Sequence, residues 1–196
     1  MSWIKNPSQR LFEAQIEPPT GVVALRGEEF RDATQIRDLL NVSFPGQGEP
    51  LLVDRLRSDG DLVLSLVAED AGVVVGYVAF SRLLVEGETP FRAVALAPLA
   101  VYPEYQQQGI ATRLIQEAHA CLAAIGETLS VVLGEPGYYG RFGYSNRRVE
   151  RFSSDYQSPY LMALSFGSAP SEGRLVYPAA FVVLTDNAAL QADDRV

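Results

Sequence analysis

The residues Gln106-Gln107-Gln108-Gly109-Ile110-Ala111 form a polar, glycine-containing segment that could hold an anion. They read Q-x-x-G-x-A, follow an apolar run and Pro103, and open a pattern of helical period. The first turn of a helix carries backbone N–H groups with no intrahelical acceptor, together with the positive end of the peptide dipoles. Behind a strand, such donors can hold a pyrophosphate, and a glycine lets the backbone come close because it has no Cβ. Two readings follow from the residues alone: a polar turn, or a backbone cradle for phosphates. The segment matches neither the phosphate loop ending in Gly-Lys-Ser/Thr nor G-x-G-x-x-G, and no lysine is present to grip a γ-phosphate. A ligand held by its pyrophosphate through backbone amides therefore fits better than a nucleotide to be hydrolysed. A nucleotide-binding regulatory module is disfavoured on the same ground.

Other reactive groups are few. Glu135 ends an apolar strand and reads as a solvated strand end. His119 falls with Gln116 on the polar side of the helix after Gly109 and is expected at the surface. Cys121 falls in the apolar stripe of that helix and is expected as a buried thiol rather than a nucleophile. With one histidine and one cysteine, no cluster has zinc-ligand spacing, so no metal site is expected.

These groups are carried by a chain of 196 residues, 47% hydrophobic and 20% charged, which suits one domain with a sizeable core. Residues 1–20 read as a tail or arm, 21–186 as the domain, and 187–196 as a C-terminal tail. The net charge of -8 disfavours nucleic acid and anionic membranes as partners and is compatible with a cationic substrate such as an amine. The N-terminus lacks the apolar block of a signal peptide, no apolar run reaches about 20 residues, and the lone cysteine excludes an internal disulfide. A cytoplasmic location is the expectation.

Along the chain, Val22–Leu25 reads as a short strand. A helix N-capped by Asp32 carries Ile36, Leu39, Leu40 and Phe44, and a second short helix carries Leu51, Leu52 and Leu56. Leu62–Ala68 and Val73–Phe80 form a hairpin around Glu69-Asp70-Ala71-Gly72. Phe91–Val101 reads as a central strand in which Pro98 marks a bulge or a break in pairing. The helix from Gly109 to about Ile125 presents Ile110, Leu114, Ile115, Ala118, Cys121, Leu122 and Ile125, and the strand Leu129–Leu133 follows. Further strands are expected around Arg148–Phe152, Tyr160–Phe166 and Ala179–Leu184. The order predicts a mixed α/β sheet with a βαβ crossover over 91–133 at its centre.

Leu99-Ala100-Val101-Tyr102-Pro103-Glu104-Tyr105-Gln106-Gln107-Gln108-Gly109-Ile110-Ala111 resembles the acetyl-CoA-binding motif of the GNAT superfamily of N-acetyltransferases. That motif runs strand, V-x-P-x-x-Q/R-x-x-G-x-G/A, helix. Tyr138-Tyr139-Gly140-Arg141-Phe142-Gly143-Tyr144 is similar to the family's F/Y-Y-x-x-x-G-F/Y segment, and the run L-G-E-P-G-Y-Y-G-R-F-G-Y resembles a bacterial branch of predicted acetyltransferases. The resemblance covers roughly residues 21–186 and is strongest over 94–144. It implies an α/β GNAT fold: a central mixed, mostly antiparallel sheet with a splayed strand pair and flanking helices.

The resemblance also implies direct transfer of the acetyl group of acetyl-CoA to an amine, with acetyl-CoA as co-substrate and the acceptor unidentified. The edge Leu99, Ala100 and Val101 would pair with pantetheine. The amides around Gln106, Gln107, Gln108, Gly109, Ile110, Ala111 and Thr112 would take the pyrophosphate, with Arg113 adding charge. Tyr139 occupies the general-acid position, while Tyr138, Phe142 and Tyr144 are expected to pack. Some family members carry a glutamate in the strand before the cradle; FRAVALAPLAV has none, so the base is unassigned and Glu135 is the best placed carboxylate. A non-catalytic acyl-CoA-binding sensor is the alternative. The acceptor pocket would be shaped by the segments 26–60 and 145–178, and the resemblance leaves a homodimer open.

Overall fold

The computed structural model describes residues 22–184. The tails expected at 1–20 and 187–196 lie outside the described residues. Among the described residues, β1 (Ala24–Gly27), α1 (Ala33–Ser43), α2 (Gly48–Asp59), β2 (Leu62–Asp70), β3 (Val73–Glu86) and β4 (Phe91–Val101) come first. They are followed by α3 (Ile110–Ala124), β5 (Leu129–Leu133), the single turn α4 (Pro136–Tyr139), β6 (Phe152–Ser154), β7 (Leu161–Ser165) and β8 (Gly173–Val176). No helix among them is long and apolar enough to cross a membrane.

The strands form one sheet in the order β1-β2-β3-β4-β5-β7, with β8 pairing the far end of β3 and β6 pairing β8. All neighbours are antiparallel except β4 with β5 and β6 with β8. The parallel β4–β5 pair is the crossover closed by α3. Its helix lies across β2 and β3 and buries Ile110, Leu114, Ile115, Ala118 and Leu122 there. The hairpin between β2 and β3 is tighter than the sequence suggests. Glu69 and Asp70 join β2, leaving Ala71 and Gly72 as a two-residue turn with φ of 48° and 87°. Both central residues left-handed is the geometry that matches strand twist in short hairpins.

Several expected details differ. Asp32 does not cap α1 with its side chain; its carboxylate accepts the N–H of Glu29 at 2.7 Å and pairs with Arg26 at 2.6 Å, closing the 3₁₀ turn Phe30–Asp32 instead. The segment expected as a strand around Arg148–Phe152 is a 3₁₀ turn over Asn146–Val149, and only Phe152 onward is strand. Ala179–Leu184 is helical rather than extended, and the strand near the C-terminus is β8. β-rich composition marks burial more than backbone state: Val149, Ala180, Phe181 and Val183 bury their side chains without joining a ladder. Ile125 is 60% exposed, because α3 ends at Ala124 and the chain turns away.

Candidate active site

β4 and β5 pair only from Val94 to Leu96, opposite Ser130 to Val132. Beyond Leu96, β4 continues along β3 to Val101 while β5 follows β7, so the parallel pair opens. Pro98, which has no N–H, sits where the opening starts. There the β3–β4 register shifts between Val78 and Phe80, with Ala97 and Pro98 facing Ala79 as a bulge. Tyr102 donates its N–H to Val75 O at 3.0 Å. The alternation of an antiparallel ladder then directs the backbone of Ala100 to Tyr77 and the backbone groups of Leu99 and Val101 into the opening. Val101 O accepts from Gln106 Nε2 at 3.0 Å, which ties the loop to the strand it follows.

The loop itself is held from below. Tyr105 is buried in the 3₁₀ turn Pro103–Tyr105, and its hydroxyl donates to Asp70 Oδ2 at 3.0 Å. Gln107 and Gly109 are both left-handed, with φ of 60° and 79°. Such alternating conformations gather backbone N–H groups on one concave side, adjoining the free donors of the first turn of α3. A cleft of about 620 Å³ results, lined by Leu99, Ala100, Val101, Tyr105, Gln106, Gln107, Gly109, Ile110, Ala111, Thr112, Tyr138 and Arg141. Of the strand-edge and loop residues expected to bind through the backbone, Gln108 alone does not line it; its Nε2 donates to Glu104 O at 3.0 Å. Arg113 is also elsewhere, donating to Val23 O at 3.0 Å. The cation in the cleft is Arg141, whose guanidinium lies 4.1 Å from the centre of the Tyr138 ring.

Tyr139 ends α4, where the carbonyl of Glu135 accepts the N–H groups of Tyr138 and Tyr139, both at 3.0 Å. Its ring packs edge-on against Tyr138 and Tyr144, with centroids 5.0 and 5.9 Å away. Burial pushes its hydroxyl up from the ordinary 10 to about 12. Tyr139 lines a second cavity of about 240 Å³, together with Phe44, Glu49 and Leu52 from the α1–α2 region and Ala95–Leu99 of β4. Val131–Leu133 of β5 and Tyr156, Tyr177, Phe181 and Leu184 complete it. Leu99 lines both cavities, so they meet at the splayed end of β4.

Two other expectations are corrected. His119 is not a surface histidine: its ring lies 5.2 Å from Phe166, 5.5 Å from Tyr144 and 6.4 Å from Phe80. Its Nε2 is 3.2 Å from the Tyr144 hydroxyl, which in turn bonds Ser130 Oγ at 2.8 Å, and burial lowers its pKa to about 4. Cys121 is half-buried rather than in the core, with its thiol 4.0 Å from Glu117 Oε1. Glu135 is exposed, as expected of a solvated strand end. Glu49, Arg141, Tyr156 and Tyr177 went unnoticed in the sequence. Arg141 stands inside the quoted aromatic segment, but no local pattern marks the other three.

A family model of the acetyltransferase (GNAT) domain matches residues 26–147. The chain is 46% identical over 114 residues to the uncharacterized N-acetyltransferase YhbS of Escherichia coli K12, covering 58% of this chain and 68% of that protein. The crystal structure of E. coli YhbS in complex with CoA matches with a TM-score of 0.76 at 34% identity, over 86% of this chain and 96% of that one. A GNAT family acetyltransferase from Brucella melitensis in complex with acetyl-CoA gives a TM-score of 0.70 at 35% identity, over 82% and 98% of the two chains. Splayed strands, a left-handed glycine opening the next helix, and agreement in both sequence and fold lead to one conclusion: the chain belongs to the GNAT family of acetyltransferases.

Proposed function

We propose that this acetyl-CoA-dependent N-acetyltransferase holds the cofactor in the larger cleft and the acceptor amine in the smaller one, with the thioester at Leu99 between them. The meeting of the two cavities at Leu99 carries the reading. The backbone groups of Leu99 and Val101 would take pantetheine as an added strand would be taken, and the first-turn amides of α3 would take the pyrophosphate. Arg141 would add the positive charge that Arg113 does not bring to the cleft.

Tyr139 would stabilise the departing thiolate. A hydroxyl near 12 facing a thiol like that of cysteine makes full proton transfer roughly 5 kcal/mol uphill, so its role is hydrogen-bond donation rather than early proton release. Burial that worsens the acid also strengthens the hydrogen bond, because competing water is excluded. We place the reaction in the cytoplasm, on the lone cysteine and the lack of any disulfide partner for it.

Free-thiol release from acetyl-CoA across an amine panel, paired with calorimetric titration of CoA, tests this reading. Acetyl-transfer with at least one amine is expected. Tight CoA binding with no amine-dependent thiol release would instead favour the acyl-CoA sensor.

A further inference from the structure

We infer that the smaller chamber selects a small primary amine attached to an apolar or aromatic body, and that the carboxylate of Glu49 receives its ammonium group. This rests on the acetyl-transfer reading and names the acceptor class that reading leaves open.

Glu49, in the first turn of α2, is the one carboxylate among the residues lining the chamber. It is half-buried, and among the described residues no guanidinium pairs with it. Two other carboxylates that meet α2 are engaged otherwise: Glu28 and Asp54 pair with Arg57. Loss of solvation lifts the Glu49 carboxyl above its ordinary range, so the site favours an incoming cation that restores the lost stabilisation. Lining the same chamber, Tyr156, Tyr177 and Phe181 form one aromatic wall. Their centroids lie 4.9 Å apart for Tyr156–Tyr177 and 5.1 Å for Tyr177–Phe181, and the Tyr156 hydroxyl donates to Phe181 O at 3.2 Å.

Size and polarity narrow the ligand. About 240 Å³ admits one ring or short alkyl chain and falls below the range of drug-sized pockets. A second charge held within the chamber, ammonium or carboxylate, would lie against aromatic and aliphatic carbon with no second counter-ion among the lining residues, which is costly. The chamber therefore accepts a monoamine such as phenethylamine and rejects spermidine, free lysine and α-amino acids.

The proton balance is complete with residues on both sides. The ammonium loses one proton to Glu49, which returns it to solvent. The amine nitrogen then attacks the thioester carbonyl, an N–C bond forms, and the C–S bond breaks. The second proton leaves the nitrogen and ends on the departing sulfur, which Tyr139 stabilises as hydrogen-bond donor. The products are an acetamide, CoA thiol and one released proton. An alkyl amine near 10.4 needs such a base more than an α-amine near 7.9 does, and Glu49 is placed to serve it.

The test measures kcat/KM by thiol release for phenethylamine, hexylamine, spermidine, free lysine and a short peptide with an N-terminal methionine, with CoA affinity measured by calorimetry alongside. Phenethylamine and hexylamine are expected to exceed spermidine and lysine by about 100-fold or more. Glu49→Gln, of equal size, should lower kcat/KM for phenethylamine by about 100-fold, abolish the acidic limb of its pH profile, and leave CoA affinity unchanged. Tyr177→Ala, which removes the middle of the wall, should raise KM for phenethylamine by about 10-fold and decides the matter if the Glu49 variant does not fold. Preference for spermidine, lysine or the peptide, or a Glu49→Gln enzyme within twofold of wild type, overturns the inference. If the wild type also fails to bind CoA, the acetyl-transfer reading falls with it; if CoA binds and another amine turns over, only the amine class is wrong.

Discussion

The edge of the Tyr139 ring lies directly over Gly134: a Cβ on residue 134 would stand 2.7 Å from Tyr139 Cδ2 and closer still to Cε2. The glycine just after β5 thus leaves room for the Tyr139 ring where it lines the smaller chamber. Gly134→Ala should push the ring aside and lower kcat by about 100-fold, the scale of an ångström-level misplacement, without changing CoA affinity. The double variant Gly134→Ala/Tyr139→Phe should be no slower than Tyr139→Phe alone. Independent, additive losses would contradict a shared cause.

Tyr139→Phe removes only the hydroxyl and should lower kcat by about 10²- to 10⁴-fold with little change in KM for acetyl-CoA. Because burial holds this hydroxyl at about 12, it stays protonated through ordinary alkaline pH. Wild-type kcat should therefore show no fall attributable to a group near 10; a descending limb there that vanishes in Tyr139→Phe would contradict the raised value, and equal kcat in wild type and Tyr139→Phe would refute the assignment. Tyr138 borders the larger cleft instead, so Tyr138→Phe should leave kcat nearly untouched.

At Gly109 the backbone is left-handed and a Cβ would meet nothing within 4 Å, so the cost of substitution there is conformational rather than steric. Gly109→Ala should cost about 1–2 kcal/mol through φ alone and weaken CoA binding about 10-fold as the loop amides turn away. Gln107→Gly relaxes a residue already in that region and should leave binding unchanged or improved. Calorimetric titration of the two variants reads the difference.

Arg141→Ala should weaken CoA binding by several-fold and flatten its salt dependence, while Arg113→Ala, whose side chain is occupied at Val23 O, should do neither. Titrations at low and high ionic strength distinguish the two. Equal effects from both would remove Arg141 from the cleft's chemistry.

His119 makes stability depend on pH. It is neutral in the fold down to about 4 but takes a proton near 6.5 once unfolded, so the unfolded chain binds more protons between those values. Its contribution is full above 6.5 and is lost as pH falls towards 4. Denaturation midpoints of the wild type should drop across that window more steeply than those of His119→Gln, which retains a partner for the Tyr144 hydroxyl.

The strand–loop–helix turn at Gly109 and the crossover were legible from the sequence because local patterns mark them, whereas Tyr139 was singled out by the family resemblance and its role is a proposal. A proline ending a strand, a glycine opening a helix and an apolar stripe at helical period act through the local backbone, whatever lies beyond. The strand boundaries of β5 and the place of the β3–β4 shift at Pro98 were legible for the same reason. The chamber was not. Glu49, Tyr156, Tyr177 and Phe181 come from segments that share no period or spacing, and only the tertiary fold brings them to one chamber. His119 shows the same limit from the other side. Its place on the polar side of α3 is local, but the rings of Phe80, Tyr144 and Phe166 that cover it arrive from β3, from the loop after α4 and from the end of β7. Burial and charge environment depend on distances between residues far apart in the chain, and those exist only once the sheet has formed.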